Sequence, residues 1–140
     1  MVTLVLGKSG SGKTSWLIEK ANQEKKSGNG NIAFIDTDNS HIYSLDHGVR
    51  LINAKDYNIK NTDQFYGFLA GIISRDYDLE KIYVDGIYDI LDVHFHLPEM
   101  LKALNDLSVA QNVDVAVGLD ITRDEIPQSA DVEIIELNAE

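Results

Sequence analysis

Residues 7–14 read Gly7-Lys8-Ser9-Gly10-Ser11-Gly12-Lys13-Thr14 and match the pattern G-x-x-x-x-G-K-[ST] at every fixed position. Residue types at this spacing suit one task, holding a polyphosphate. A glycine-rich turn aims successive backbone N–H groups inward at a β-phosphate. The lysine ammonium reaches β- and γ-phosphate oxygens, and the threonine hydroxyl is a ligand for Mg²⁺. A helix starting near Gly12 adds the positive end of its dipole at the same spot. The binding residues expected from the motif are Gly7, Lys8, Ser9, Gly10, Ser11, Gly12, Lys13, Thr14 and Ser15. Lys13 is also the charge expected to act on a transferring phosphoryl group. Four fixed positions coincide by chance in roughly one chain of this length in two hundred.

Such a loop works only between a buried strand and a helix. Val2-Thr3-Leu4-Val5-Leu6 is a short apolar, β-prone run ahead of it, and Ser15-Trp16-Leu17-Ile18-Glu19-Lys20-Ala21 continues as a helix. The loop also needs a carboxylate for the Mg²⁺ shell, commonly at the end of a neighbouring apolar strand. Asp85 follows Ile82-Tyr83-Val84 and precedes Gly86, so Thr14 and Asp85 are the expected metal pair.

The remaining elements must place these groups. Ser27-Gly28-Asn29-Gly30 reads as a turn, and Ile32-Ala33-Phe34-Ile35 as a second buried strand ending in Asp36-Thr37-Asp38-Asn39-Ser40. Val49-Arg50-Leu51-Ile52 is a short third strand whose charge suits a sheet edge. Thr62 is expected to cap a helix that carries Phe65, Leu69, Ile72 and Ile73 on one face. Residues 81–85 form a fourth strand, and Pro98 suits the first turn of a third helix striped by Leu101, Leu104 and Leu107. Val113–Val117 and Val132–Leu137 complete six strands. Strands alternating with helices predict a parallel sheet covered on both faces, with its ligand at the carboxyl ends of the strands.

A length of 140 residues predicts a single domain spanning 1–140, and 44% apolar with 25% charged residues is an ordinary globular composition. Cysteine is absent, which excludes disulfides and thiolate metal sites. No apolar stretch approaches the ~20 residues of a membrane span. Met1 runs straight into the first strand with no signal peptide, so the cytoplasm is the expected compartment. Twenty-three acidic against twelve basic side chains give a net charge of −11, which argues against nucleic-acid and membrane partners. The one adjacent basic pair, Lys25-Lys26, is placed to complement the C-terminal dipole of the first helix.

Taken together, Phe34-Ile35-Asp36-Thr37-Asp38, Ile82-Tyr83-Val84-Asp85 and Ala130-Asp131-Val132-Glu133-Ile134-Ile135-Glu136-Leu137 resemble corresponding segments of RecA-like ATPases. That group includes the RecA recombinases, the RadA and KaiC proteins and the DnaB-type helicases. The resemblance implies a three-layer P-loop NTPase fold with a mainly parallel six-stranded sheet of order 3-2-4-5-1-6. It also implies a catalytic carboxylate just past the second strand to orient the attacking water; the matching residue is Asp38, one methylene shorter than the family's glutamate. Family members bind ATP at subunit boundaries and receive a basic residue from a neighbour, a task for which Arg123 is the one arginine in place. Lys8 resembles the additional P-loop lysine of ParA/MinD-type ATPases, but Ser9 departs from their glycine and Gly86 from their proline-containing turn.

Absent motifs narrow the class. No Asn-Lys-x-Asp sequence reads guanine and no Leu-Ser-Gly-Gly-Gln marks a transporter cassette. Arg50, Arg75 and Arg123 are too scattered for a kinase lid, and the loops at 86–97 and 119–130 are acidic where a recombinase would hold DNA. His94, His96 and Asp92 lack a further ligand at diagnostic spacing and read as surface or partly packed residues. The apolar run at 87–97 reads as a packed lead into the third helix, with a protein-contact surface as the sharper alternative. The expected function is Mg²⁺-dependent ATP binding with slow hydrolysis, exercised with a protein partner or by self-assembly. A nucleotide-sensing module without turnover is the alternative. A ParA/MinD-type ATPase and a DNA-dependent motor component rank behind these.

Overall fold

The computed structural model describes residues 1–28 and 30–137. The expected turn at 27–30 therefore includes one residue, Asn29, that lies outside the described residues. Strands form where apolar, β-branched runs occur: β1 Val2–Leu6, β2 Asn31–Asp36, β3 Val49–Asn53, β4 Leu79–Val84, β5 Asp114–Leu119 and β6 Val132–Glu136. Three helices connect them: α1 Lys13–Ser27, α2 Thr62–Arg75 and α3 Val93–Gln111. The sheet runs β3-β2-β4-β5-β1-β6 with every neighbouring pair parallel, which is the expected order. β3, the strand carrying Arg50, lies at one edge as its charge suggested.

Alternation along each strand sends side chains to two separate cores. Val2, Leu4, Leu6, Ala33, Ile35, Ile82, Val84, Val115 and Val117 face α2 and α3, joining Phe65, Leu69, Leu101 and Leu104. Val5, Ile32, Phe34, Tyr83 and Ala116 face the other way and meet Leu17 and Ala21 of α1. The result is a three-layer α/β fold in which α1 alone covers one face. Burial on both sides is why β1, β2 and β5 read as nearly continuous apolar runs.

Two helix starts differ from the sequence expectation. Asn61, not Thr62, caps α2, accepting from the Gln64 N–H at 2.8 Å while Gln64 Oε1 accepts from the Lys60 N–H at 2.7 Å. This reciprocal pairing satisfies two backbone donors at once, which a cap one residue later would not. α3 begins at Val93 under an Asp92 cap, five residues before Pro98. The helix breaks at His96 (φ −120°, ψ 17°), where the proline ring two residues on excludes a continuous turn. The early turn buries Val93 and Leu97 beside Ile87 and Leu91, so this apolar run serves the core and leaves Phe95 80% exposed. Among the described residues, no helix is long and apolar enough to cross a membrane.

Candidate functional site

β1 delivers the chain into the glycine-rich loop at the carboxyl edge of the sheet, and α1 carries it away. Gly12 has φ +98° and Gly10 φ +85°, a region that side-chain-bearing residues rarely adopt. Gly7 is required for a different reason: a Cβ there would sit 2.9 Å from the Leu137 carbonyl oxygen. No side chain caps α1 and its first turn holds no acidic residue, whereas Asn61 and Asp92 cap α2 and α3. The N–H groups and dipole end of a fifteen-residue helix are thus left facing the loop. At the other end, Lys25 and Lys26 lie in the last turn as expected.

Thr14 in the first turn of α1 donates from Oγ1 to Asp85 Oδ2 at 2.6 Å, across seventy-one residues of chain. Asp85 leaves β4 with its own N–H donating to the Ile35 carbonyl at 2.9 Å, which ties this carboxylate to the end of β2. Gly86 then turns at φ +70°. The two residues expected to share a metal are therefore in direct contact. A hydroxyl and a carboxylate are hard oxygen donors of the kind Mg²⁺ takes, completed in such sites by phosphate oxygens and water.

Lys13 is almost enclosed. Its ammonium donates to the carbonyls of Gly7 (2.7 Å) and Lys8 (2.9 Å) and pairs with Asp120 Oδ1 at 2.5 Å. Asp120 is the first residue after β5, the strand beside β1. It is thus placed relative to the loop much as Asp85 is after β4. In the sequence it read only as one of several loop acids. The signal that marks it is its position directly after an apolar strand that the sheet order sets next to the P-loop strand.

Asp36 ends β2 and is 4% exposed. Its Oδ1 accepts from the Thr37 N–H at 2.7 Å, while Oδ2 is buried without a hydrogen-bond partner. Burial pushes its carboxyl up to about 6, with the Asp85 and Asp38 charges adding to the rise and the Thr37 N–H opposing it. Asp38 differs in every respect. It is exposed, its Oδ1 accepts from the Ser40 N–H (2.8 Å) and Ser40 Oγ (2.6 Å), and these bonds hold its carboxyl below the usual aspartate value. Between them, Thr37 Oγ1 donates to Asp89 Oδ2 at 2.9 Å.

These groups border one cleft of about 530 Å³. Ser9, Gly10, Gly12, Lys13, Thr14 and Ser15 line it together with Asp36, Asp38, Asp85, Asp89 and Asp120. Gly7 and Lys8 instead border an adjoining cleft beside Arg123 and Glu136, and Ser11 Oγ is buried in the loop without a partner. Arg123 Nε donates to Glu136 Oε1 at 2.7 Å, within its own chain. His94 lies 3.5 Å from Glu125 and Asp92 is occupied as the α3 cap, so these do not converge with His96. Among the described residues, no three His, Asp or Glu side chains are grouped so as to hold a metal by themselves.

Five aspartates facing one lysine set the electrostatics of the cleft. A bare polyphosphate would meet net repulsion there, which an accompanying divalent cation lessens by bridging carboxylate and phosphate oxygens. The unpartnered Asp36 oxygen asks for a donor or a cation in the same space. No protein-family model matches the chain, and no curated protein matches its sequence.

Proposed function

We propose that this chain binds ATP together with Mg²⁺ in the cleft between the Gly7–Thr14 loop and the ends of β2, β4 and β5, and hydrolyses it slowly as a RecA-like ATPase. The observation that carries the reading is the Thr14–Asp85 contact at 2.6 Å beside an uncapped α1 and a P-loop lysine. Thr14 Oγ1 and Asp85 would hold the metal, directly or through its water, and Asp36 Oδ2 would accept from that hydration shell. Neutralisation of charge on the β- and γ-phosphate oxygens is what Mg²⁺ supplies in such a site. The α1 N–H groups and the loop backbone orient the phosphates, and Lys13 offsets charge developing on the γ-phosphoryl oxygens. Asp38, at the mouth of the cleft, is the carboxylate for orienting the attacking water, through the oxygen that Ser40 does not engage. A partner protein or a second copy would complete the reaction as a neighbour does in RecA-like ATPases.

Titration calorimetry with ATP and Mg²⁺ tests the reading. Wild type should bind, and Lys13→Ala should show no detectable binding while keeping a native far-ultraviolet spectrum. Equal affinity in the two proteins rejects the loop as the site. A second reading, a nucleotide sensor without turnover, is favoured by the engagement of Asp38 with Ser40. Single-turnover assays with excess protein separate the two, since phosphate release at any rate above that of ATP alone excludes the sensor.

A further inference from the structure

We propose that Asp120 is a specificity-determining residue: an internal anion held on Lys13 that a phosphate ligand must displace. The inference rests on the nucleotide-binding reading and adds a residue that the loop motif does not contain. All three donors of the Lys13 ammonium are taken, two by carbonyls of the loop itself and the third by the Asp120 carboxylate. The carbonyls belong to the loop that wraps the ligand. Asp120 does not, and it is the only charged member of the three. An arriving phosphate oxygen therefore competes with a carboxylate for the ammonium, and after winning it would still lie beside that negative charge. The Lys13 side chain is 10% exposed and that of Asp120 42%, so the pair is less screened than a surface ion pair.

The geometry also supplies a place for the displaced carboxylate. Tyr88 borders the same cleft, its buried hydroxyl donates to no group, and both the charge and the backbone N–H of Asp120 act on it. An O–H donor there can receive Asp120 when Lys13 turns to phosphate. A small anion such as inorganic phosphate, held by few contacts, loses this competition, and a Mg²⁺-bearing triphosphate, gripped by loop, helix and metal together, wins it. Asp120 thus filters ligands by total grip, which is a selectivity the P-loop alone lacks.

The test compares wild type, Asp120→Asn and Asp120→Glu by calorimetry with ATP and Mg²⁺. Removing the competing charge while keeping the shape should tighten binding about tenfold, the scale of one charge-assisted hydrogen bond. Asp120→Glu keeps the charge and should stay within about threefold of wild type, which separates charge from packing. Asp120→Asn should also acquire measurable affinity for inorganic phosphate, with Asp120→Glu remaining blind to it. If Asp120→Asn binds ATP no more tightly than wild type, Asp120 is not a competitor and the proposal falls while nucleotide binding stands. If both variants gain equally, charge is not the cause and the proposal falls as well. If none of the three proteins binds ATP at millimolar concentration, the nucleotide reading itself fails and takes this one with it.

Discussion

Replacing Asp36 by asparagine should stabilise the ligand-free protein, and the gain should grow with pH. In the unfolded chain this carboxyl ionises near its ordinary 3.8; in the fold, burial raises it to about 6. The fold therefore holds the proton more tightly than the unfolded chain does. Below 3.8 both states are protonated and the group is neutral in the balance. As pH rises from 3.8 toward 6 the unfolded chain gives up this proton while the fold still holds it, so stability is lost across that window and levels off once the folded carboxyl has ionised too. The full displacement corresponds to about 3 kcal/mol at 1.36 kcal/mol per pH unit. Asparagine keeps the oxygen that accepts from the Thr37 N–H and cannot ionise, so it escapes this loss. The stability difference between variant and wild type should grow by about 2 kcal/mol from pH 4 to pH 8. Urea denaturation at four or five pH values measures it. A difference that stays flat over this range, or shrinks as pH rises, would refute the argument that Asp36 is ionised against its surroundings. Nucleotide with Mg²⁺ should reduce the difference at pH 8, because the carboxylate then has a partner.

Thr14→Ala and Asp85→Asn should each weaken ATP binding more in millimolar Mg²⁺ than in EDTA, and calorimetry under both conditions checks this. Asp38→Asn should bind ATP about as tightly as wild type but cleave it at least ~10-fold more slowly in single-turnover assays, while Asp38→Glu, with the longer reach, should be no slower than wild type. Phe34→Ala removes a fully buried ring stacked on Tyr83 at 6.3 Å between centroids, in the thinner α1 layer, and should cost about 3–5 kcal/mol in urea denaturation.

The fold was legible because local signals agreed. Val2–Leu6 gave β1 without error, and the charge in β3 marked an edge. The sheet order did not follow from the residues alone; it came with the likeness of Asp36–Asp38, Asp85 and 130–137 to RecA-like segments. Boundaries failed where two capping residues adjoined, as at Asn61-Thr62, and where an apolar loop concealed a helical turn before Pro98. In the site, the loop and the Thr14–Asp85 pairing were readable because chemistry demands those types at that spacing. Asp120 was not, since its importance lies in a strand adjacency that joins residues more than a hundred positions apart. The contrast between Asp36 and Asp38 was equally hidden. Two acids separated by one residue differ in burial because one ends a strand and the other lies beyond it.

β1 also governs when the site can exist at all. Among the described residues it precedes the other five strands, yet its partners are β5 and β6: Val2 aligns with Val115 on one side and with Val132 on the other. During synthesis from the amino end, this strand and its loop emerge ahead of both partners and must wait for more than a hundred residues before either neighbour appears. Closing so long a segment is slow, and contacts of such sequence separation place a chain among the slower folders of its size. Until then β1 is an apolar ribbon with two unpaired edges, the form most open to wrong pairing. β2 can pair with β3 and then β4 earlier, so chain order assembles that half of the sheet first and leaves the glycine-rich loop unsupported until β5 is in place.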